Sequence, residues 1–154
     1  MIDHSAKAWA AHEAAFRSLP GAENIVAWYG DVPGFHDADL IHIHLLVGSS
    51  SSLGVKFWRL KPALRNERVL EPVDQRLVVF TCDEVVDLEL ESFGPATELN
   101  ALRVYRSAER EGRPRFSLAR PAAEDIDILV EPHYGLSGWL RCRNLRVELG
   151  PEDE

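Results

Sequence analysis

The sequence predicts an α+β fold, mostly antiparallel β-sheet with an N-terminal helix, and three observations carry that prediction. Alanines dominate residues 6–15 in a helical stripe. From Asp39 onward, apolar residues recur at every second position. Glycine, proline and serine clusters cut these alternating runs into strand-length pieces.

The elements follow in order. Asp3 or Ser5 caps the opening helix, Trp9, Phe16 and Leu19 form its apolar stripe, and Pro20-Gly21 ends it. Residues 22–29 read as a second short helix or turn. Val32-Pro33-Gly34 then turns the chain into a first strand over residues 39–47, with Ile41, Ile43, Leu45 and Val47 on one face and Leu40, His42, His44 and Leu46 on the other. The serine-rich loop 48–54 joins it to a second strand over residues 55–60. No helix follows that loop and no lysine sits where a phosphate loop needs one, so it reads as a connection.

Residues 61–75, with Pro62 and Pro72, predict an irregular crossover. Residues 76–93 predict either one strand bent by a bulge at Asp83-Glu84 or two strands joined by a turn there. Residues 102–107 and 115–120 bracket Gly112 and Pro114 as a hairpin. Residues 125–131 alternate, with Ile126, Ile128 and Val130 inward. In the final run, residues 139–149, Leu140 and Cys142 are out of phase with Leu145, Val147 and Leu149, which predicts a bulge near Arg143-Asn144.

With 154 residues the chain is expected to form one domain over 1–154, large enough to bury a core without disulfides. A net charge of −8 argues against nucleic acid as the partner, because phosphate contacts need a positive surface. Residues 1–16 lack the apolar core of a signal peptide and no run approaches the ~20 apolar residues of a bilayer span, so a cytoplasmic protein without membrane contact is expected. Cys82 and Cys142, 60 residues apart in apolar runs, read as buried free thiols.

His36, Asp37, Asp39, His42 and His44 fall within nine residues and invite a metal reading. In that alternative, a small cupin-like or hydrolytic enzyme would use the strand pair His42 and His44, with His133 or Glu89 as a third donor. The cupin pattern requires a glutamate shortly after the pair, and residues 45–52 contain no acid. The preferred expectation is therefore no metal and no other cofactor, with His42 and His44 on a solvent face. Pro33, Phe35, His36 and Asp37 are read as a structural motif, in which Phe35 anchors the turn and Asp37 bonds its backbone. Nucleophilic catalysis has no candidate, since neither a Gly-x-Ser-x-Gly elbow nor an activating cysteine context occurs.

Charge is segregated along the chain. Residues 83–91 hold five acids and no base, residues 124–131 four acids, and residues 103–120 six arginines. Cross-strand ion pairing accounts for this, and so does a partner-binding surface. On the second account, Asp87, Glu89 and Glu91 form one binding cluster, with Asp125 and Asp127 as another. Acids on a rigid strand can mimic a phosphate backbone toward a basic partner.

The run Trp28-Tyr29-Gly30-Asp31-Val32-Pro33-Gly34-Phe35-His36-Asp37-Ala38-Asp39 resembles the hallmark of the immunity protein 50 family of bacterial polymorphic toxin systems. That family shows a proline, a Phe-His-Asp-Ala-Glu stretch and then an amphipathic strand; here Asp39 replaces the glutamate. Looser similarity extends to residues 87–93 with Asn100, and to Gly138-Trp139-Leu140-Arg141-Cys142. The resemblance implies a non-enzymatic protein that binds and neutralises a cognate protein toxin in the cytoplasm.

Overall fold

A computed structural model describes residues 2–63, 66–109 and 123–152 of the chain. Two helices come first. Helix α1 (Ala6–Arg17) starts at Ser5, whose Oγ accepts a hydrogen bond from the Ala8 N–H at 3.2 Å. Helix α2 (Ala22–Tyr29) lies between Gly21 and Gly30, both with positive φ. A Cβ at Gly21 would stand 1.9 Å from the Val147 carbonyl oxygen, so only glycine lets the helical pair lie this close to the sheet.

Six strands follow: β1 (Asp39–His44), β2 (Ser51–Ala63), β3 (Asn66–Glu91), β4 (Leu99–Arg106), β5 (Ile126–Pro132) and β6 (Ser137–Glu152). They form one antiparallel sheet in the order β1-β2-β3-β6-β5-β4. A bridge between Asp39 and Glu98 links β1 to the start of β4, and Leu40 N–H donates to Thr97 O at 2.8 Å. The first and last strands thus meet at one end, and the sheet curls around its core.

Four phenylalanines fill that core. Phe35 stands 5.1 Å from Phe57, 5.7 Å from Phe80 and 6.2 Å from Phe16, measured between ring centroids. Each aromatic ring brings a large apolar area out of water. A smaller cluster of Ile2, Ala101, Tyr105, Leu129 and Trp139 covers part of the opposite sheet face, with Ala8 and Ala11 of α1 packed on it.

Several elements differ from the sequence reading. Residues 61–63 and 66–75 are no crossover, because β2 and β3 continue as a paired ribbon to Pro62–Leu70 and Ala63–Asn66. Beyond Lys56 the ribbon has no β1 beside it, and before Arg76 no β6, so Pro62 and Pro72 interrupt no further ladder. Strand β3 is one strand; its bulge falls between Val85 and Asp87. In β1 a bulge between Leu40 and His42 leaves Ile41 exposed and puts Leu40 and Ile43, not Ile41 and Ile43, against the core.

The phase change in β6 passes through Asn144, which has φ 54, with no register shift against β3 between Cys82–Leu145 and Val85–Cys142. Both strands change face together. Strand β4 pairs with β5; the expected partner run 115–120 lies outside the described residues.

Candidate functional site

Three segments meet at the end of the sheet where β1 and β4 join: residues 33–38, residues 92–98 and residues 133–136. Backbone bonds lock them together. Asp37 N–H donates to Leu99 O at 2.9 Å, Leu99 N–H to Ala38 O at 2.8 Å, and His133 N–H to Glu98 O at 3.1 Å. Gly135 packs against Ala96, where a Cβ would come within 2.8 Å of the carbonyl oxygen.

The Pro33 turn is unusual in its backbone. Phe35 and Asp37 both adopt positive φ, 58° and 63°, which costs a residue with a Cβ on the order of 1–2 kcal/mol. Burial of the Phe35 ring and the bonds to β4 hold the turn in that shape. Pro33 and Phe35 are buried, but the His36 and Asp37 side chains are 66% and 49% exposed. Replacing either would therefore leave no buried group without a partner, so of the expected structural motif only Pro33 and Phe35 are interior.

His36 and Asp37 point into a cluster. His36 Nδ1 lies 3.0 Å from Asp37 Oδ2, and His133 Nε2 lies 3.3 Å from Asp37 Oδ1 and 3.6 Å from Glu98 Oε1. Asp39 stands next to this group and accepts from Thr97 Oγ1 at 2.9 Å. Exposed Tyr134 adjoins His133, and exposed Phe93 lies in the neighbouring segment.

The expected alternative donor set of His42, His44 and His133 does not come together. His42 and His44 do share a face of β1 and stack at 4.5 Å, with the His42 ring over Gly54 and its Nε2 3.3 Å from Ser52 Oγ. Burial, then the neighbouring His44, pushes the His42 imidazole pKa below its ordinary value. Among the described residues no third ligating side chain joins that pair, and His133 stands with His36 and Asp37 instead.

The acidic residues divide into three groups. Asp83 pairs with Arg146 at 3.0 Å and Glu84 with Arg143 at 3.7 Å, so cross-strand ion pairing covers the first part of β3. Glu89 and Glu91 are exposed on β3 and have no basic partner among the described residues, whereas half-buried Asp87 lies within the field of Arg141.

Asp125 and Asp127 form the third group and are buried, which corrects the expectation that they form a binding cluster. Asp127 is 0% exposed and grips Arg141 through bonds of 2.9 and 3.2 Å, with Ser107 Oγ donating to the same carboxylate. Asp125 lies 3.6 Å from Arg143 Nε. The reason is that β5 sits between β4 and β6 with both its faces covered, so Asp127 is interior, and Asp125 just before the strand is buried with it. Such a pair loses hydration on both ions and is held by its fork geometry.

Sequence reasoning missed His12, buried in α1. Its Nδ1 accepts from Val104 N–H at 3.0 Å and its Nε2 donates to Pro33 O at 2.9 Å, tying α1 to β4 and to the turn. The two partners fix the neutral tautomer, and desolvation lowers its pKa to about 4. The only signal in the sequence was a polar residue inside an apolar stripe.

Fold and rim together define an α+β protein whose exposed chemistry is one acidic strand end and an adjoining cluster of histidines and carboxylates. No protein-family model matches the chain, and no curated protein or solved structure matches it. Among the described residues no helix is long and apolar enough to cross a membrane.

Proposed function

We propose that this chain is an immunity protein that binds a cognate protein toxin in the cytoplasm and neutralises it without catalysis. The observation that supports this best is the exposure of Glu89 and Glu91 on a rigid strand with no basic partner among the described residues. Carboxylates fixed on paired backbone lose little freedom on binding and attract a basic surface over a distance. Their spacing on alternate positions of one strand face suits the cleft of a nuclease toxin, which normally holds a phosphate backbone. Exposed Phe93 and Tyr134 nearby are aromatic anchors of the kind that carry interface energy. The similarity of residues 28–39 to the immunity protein 50 hallmark points the same way.

The test is protection of cells against a toxic domain found encoded beside this gene, combined with binding of the purified pair. Glu89→Lys with Glu91→Lys should weaken binding by on the order of tenfold or more and abolish protection, with the fold unchanged because both side chains face water. A folded double variant that protects fully, at unchanged affinity, excludes this face.

A further inference from the structure

We propose that His36, Asp37 and His133 form a binding site for a divalent transition-metal ion, zinc foremost, with Glu98 beside His133 at its edge. The inference goes beyond toxin binding and does not depend on it. Four features of the rim support it.

The donors are of the right kind. Two imidazole nitrogens with one or two carboxylate oxygens make the mixed set that zinc takes in four-coordinate sites. Their separations also fit. Ligand atoms about 2.0–2.2 Å from one zinc ion in a tetrahedron stand roughly 3.3–3.6 Å apart. The contacts His36–Asp37 and His133–Asp37 measure 3.0 and 3.3 Å, and the ligand atoms of His36, Asp37 and His133 all lie within 4.8 Å of one another.

The donors are also held in place from two distant parts of the chain. His133 and Asp37 are 96 residues apart, yet Asp37 N–H bonds to Leu99 and His133 N–H to Glu98, so the donors stand on a bonded frame. The set is therefore organised in advance, which lowers the ordering cost of taking up an ion. Lastly, Asp37 and Glu98 both approach His133 Nε2, which puts two carboxylates around one point. A bound dication would offset the repulsion between the carboxylates. The site is open to solvent on one side, so water or a partner's side chain can complete the coordination.

Full-length protein freed of metal by a chelator is titrated with zinc chloride by calorimetry, and in parallel with cobalt(II) followed by visible absorption. One zinc ion per chain is expected, together with the intense visible bands of four-coordinate cobalt. Asp37→Asn keeps a residue that tolerates the left-handed backbone and removes the charge. Asp37→Asn and His133→Gln should each weaken zinc binding at least ~10-fold, the scale on which even outer partners of a metal act. Both should melt like the parent without metal, because the side chains are exposed. The double variant His42→Gln/His44→Gln should bind zinc like the parent. No zinc uptake by the parent, undiminished uptake in Asp37→Asn and His133→Gln, or loss only in the His42/His44 variant overturns the assignment.

Discussion

His12 has the clearest pH signature of any side chain in the described structure. Buried between α1 and β4, it stays neutral in the folded protein down to about pH 4, whereas an unfolded chain protonates histidine near pH 6.5. Between those values the unfolded state binds more protons, so stability falls as pH drops through that window and is fully present above it. The loss amounts to on the order of 3 kcal/mol once pH reaches the folded value. Denaturant midpoints measured from pH 7 to pH 4 should decline more steeply for the parent than for His12→Gln, which removes the titration. Parallel curves would mean that His12 does not carry this dependence. Arg141 and Asp127 show a different residue-scale rule. Their charges sit on strands that the sequence marks as polar outward, and only the covering of both sheet faces turns them inward. No local pattern encodes that covering.

At the scale of elements, Asn144 decides where β6 changes face. Its φ of 54 is a conformation asparagine visits more readily than most residues, and glycine most readily of all. Asn144→Gly should be neutral or mildly stabilising, while Asn144→Val should cost roughly 1–2 kcal/mol through strain at the left-handed position. Thermal melts of the two variants check this, and equal loss in both would place the importance in the side chain instead. The phase change was legible in the sequence because Cys142 and Leu145 differ by an odd number of positions. Its matching change in β3 was not, because Asp83-Glu84 gave only a bulge signal, and the bulge itself lies at Val85–Asp87. The ribbon of residues 57–63 with 66–75 was missed for a similar reason. Two prolines argue against a strand unless one knows that its outer edges are unpaired. The first helix was legible from its caps, which are local signals, whereas residues 22–29 were left open between helix and turn. Of the candidate site, the neighbourhood of His36 and Asp37 was visible in sequence, but the approach of His133 depends on a strand order that periodicity does not encode.

Taken as a whole, the molecule carries a net charge of −8. If the acidic end of β3 meets a basic toxin, the association rate should fall steeply as salt rises from 50 to 300 mM, roughly the range over which the Debye length shrinks from about 14 to 6 Å. The dissociation rate should change far less. Stopped-flow association at several ionic strengths measures this, and a rate indifferent to salt would remove the long-range attraction from the account.

The joining of the first and last strands has a kinetic consequence. The bridge between Asp39 and Glu98 brings together parts of the chain about sixty residues apart, and His133 meets Asp37 across a still longer span. Contacts so remote in sequence must meet a large loop-closure entropy before they return any stabilisation, so they belong to the slow end of folding. Local hairpins such as β2 with β3 need no such search. The rim is expected to close after that hairpin, as are the equally remote pairings of β3 with β6.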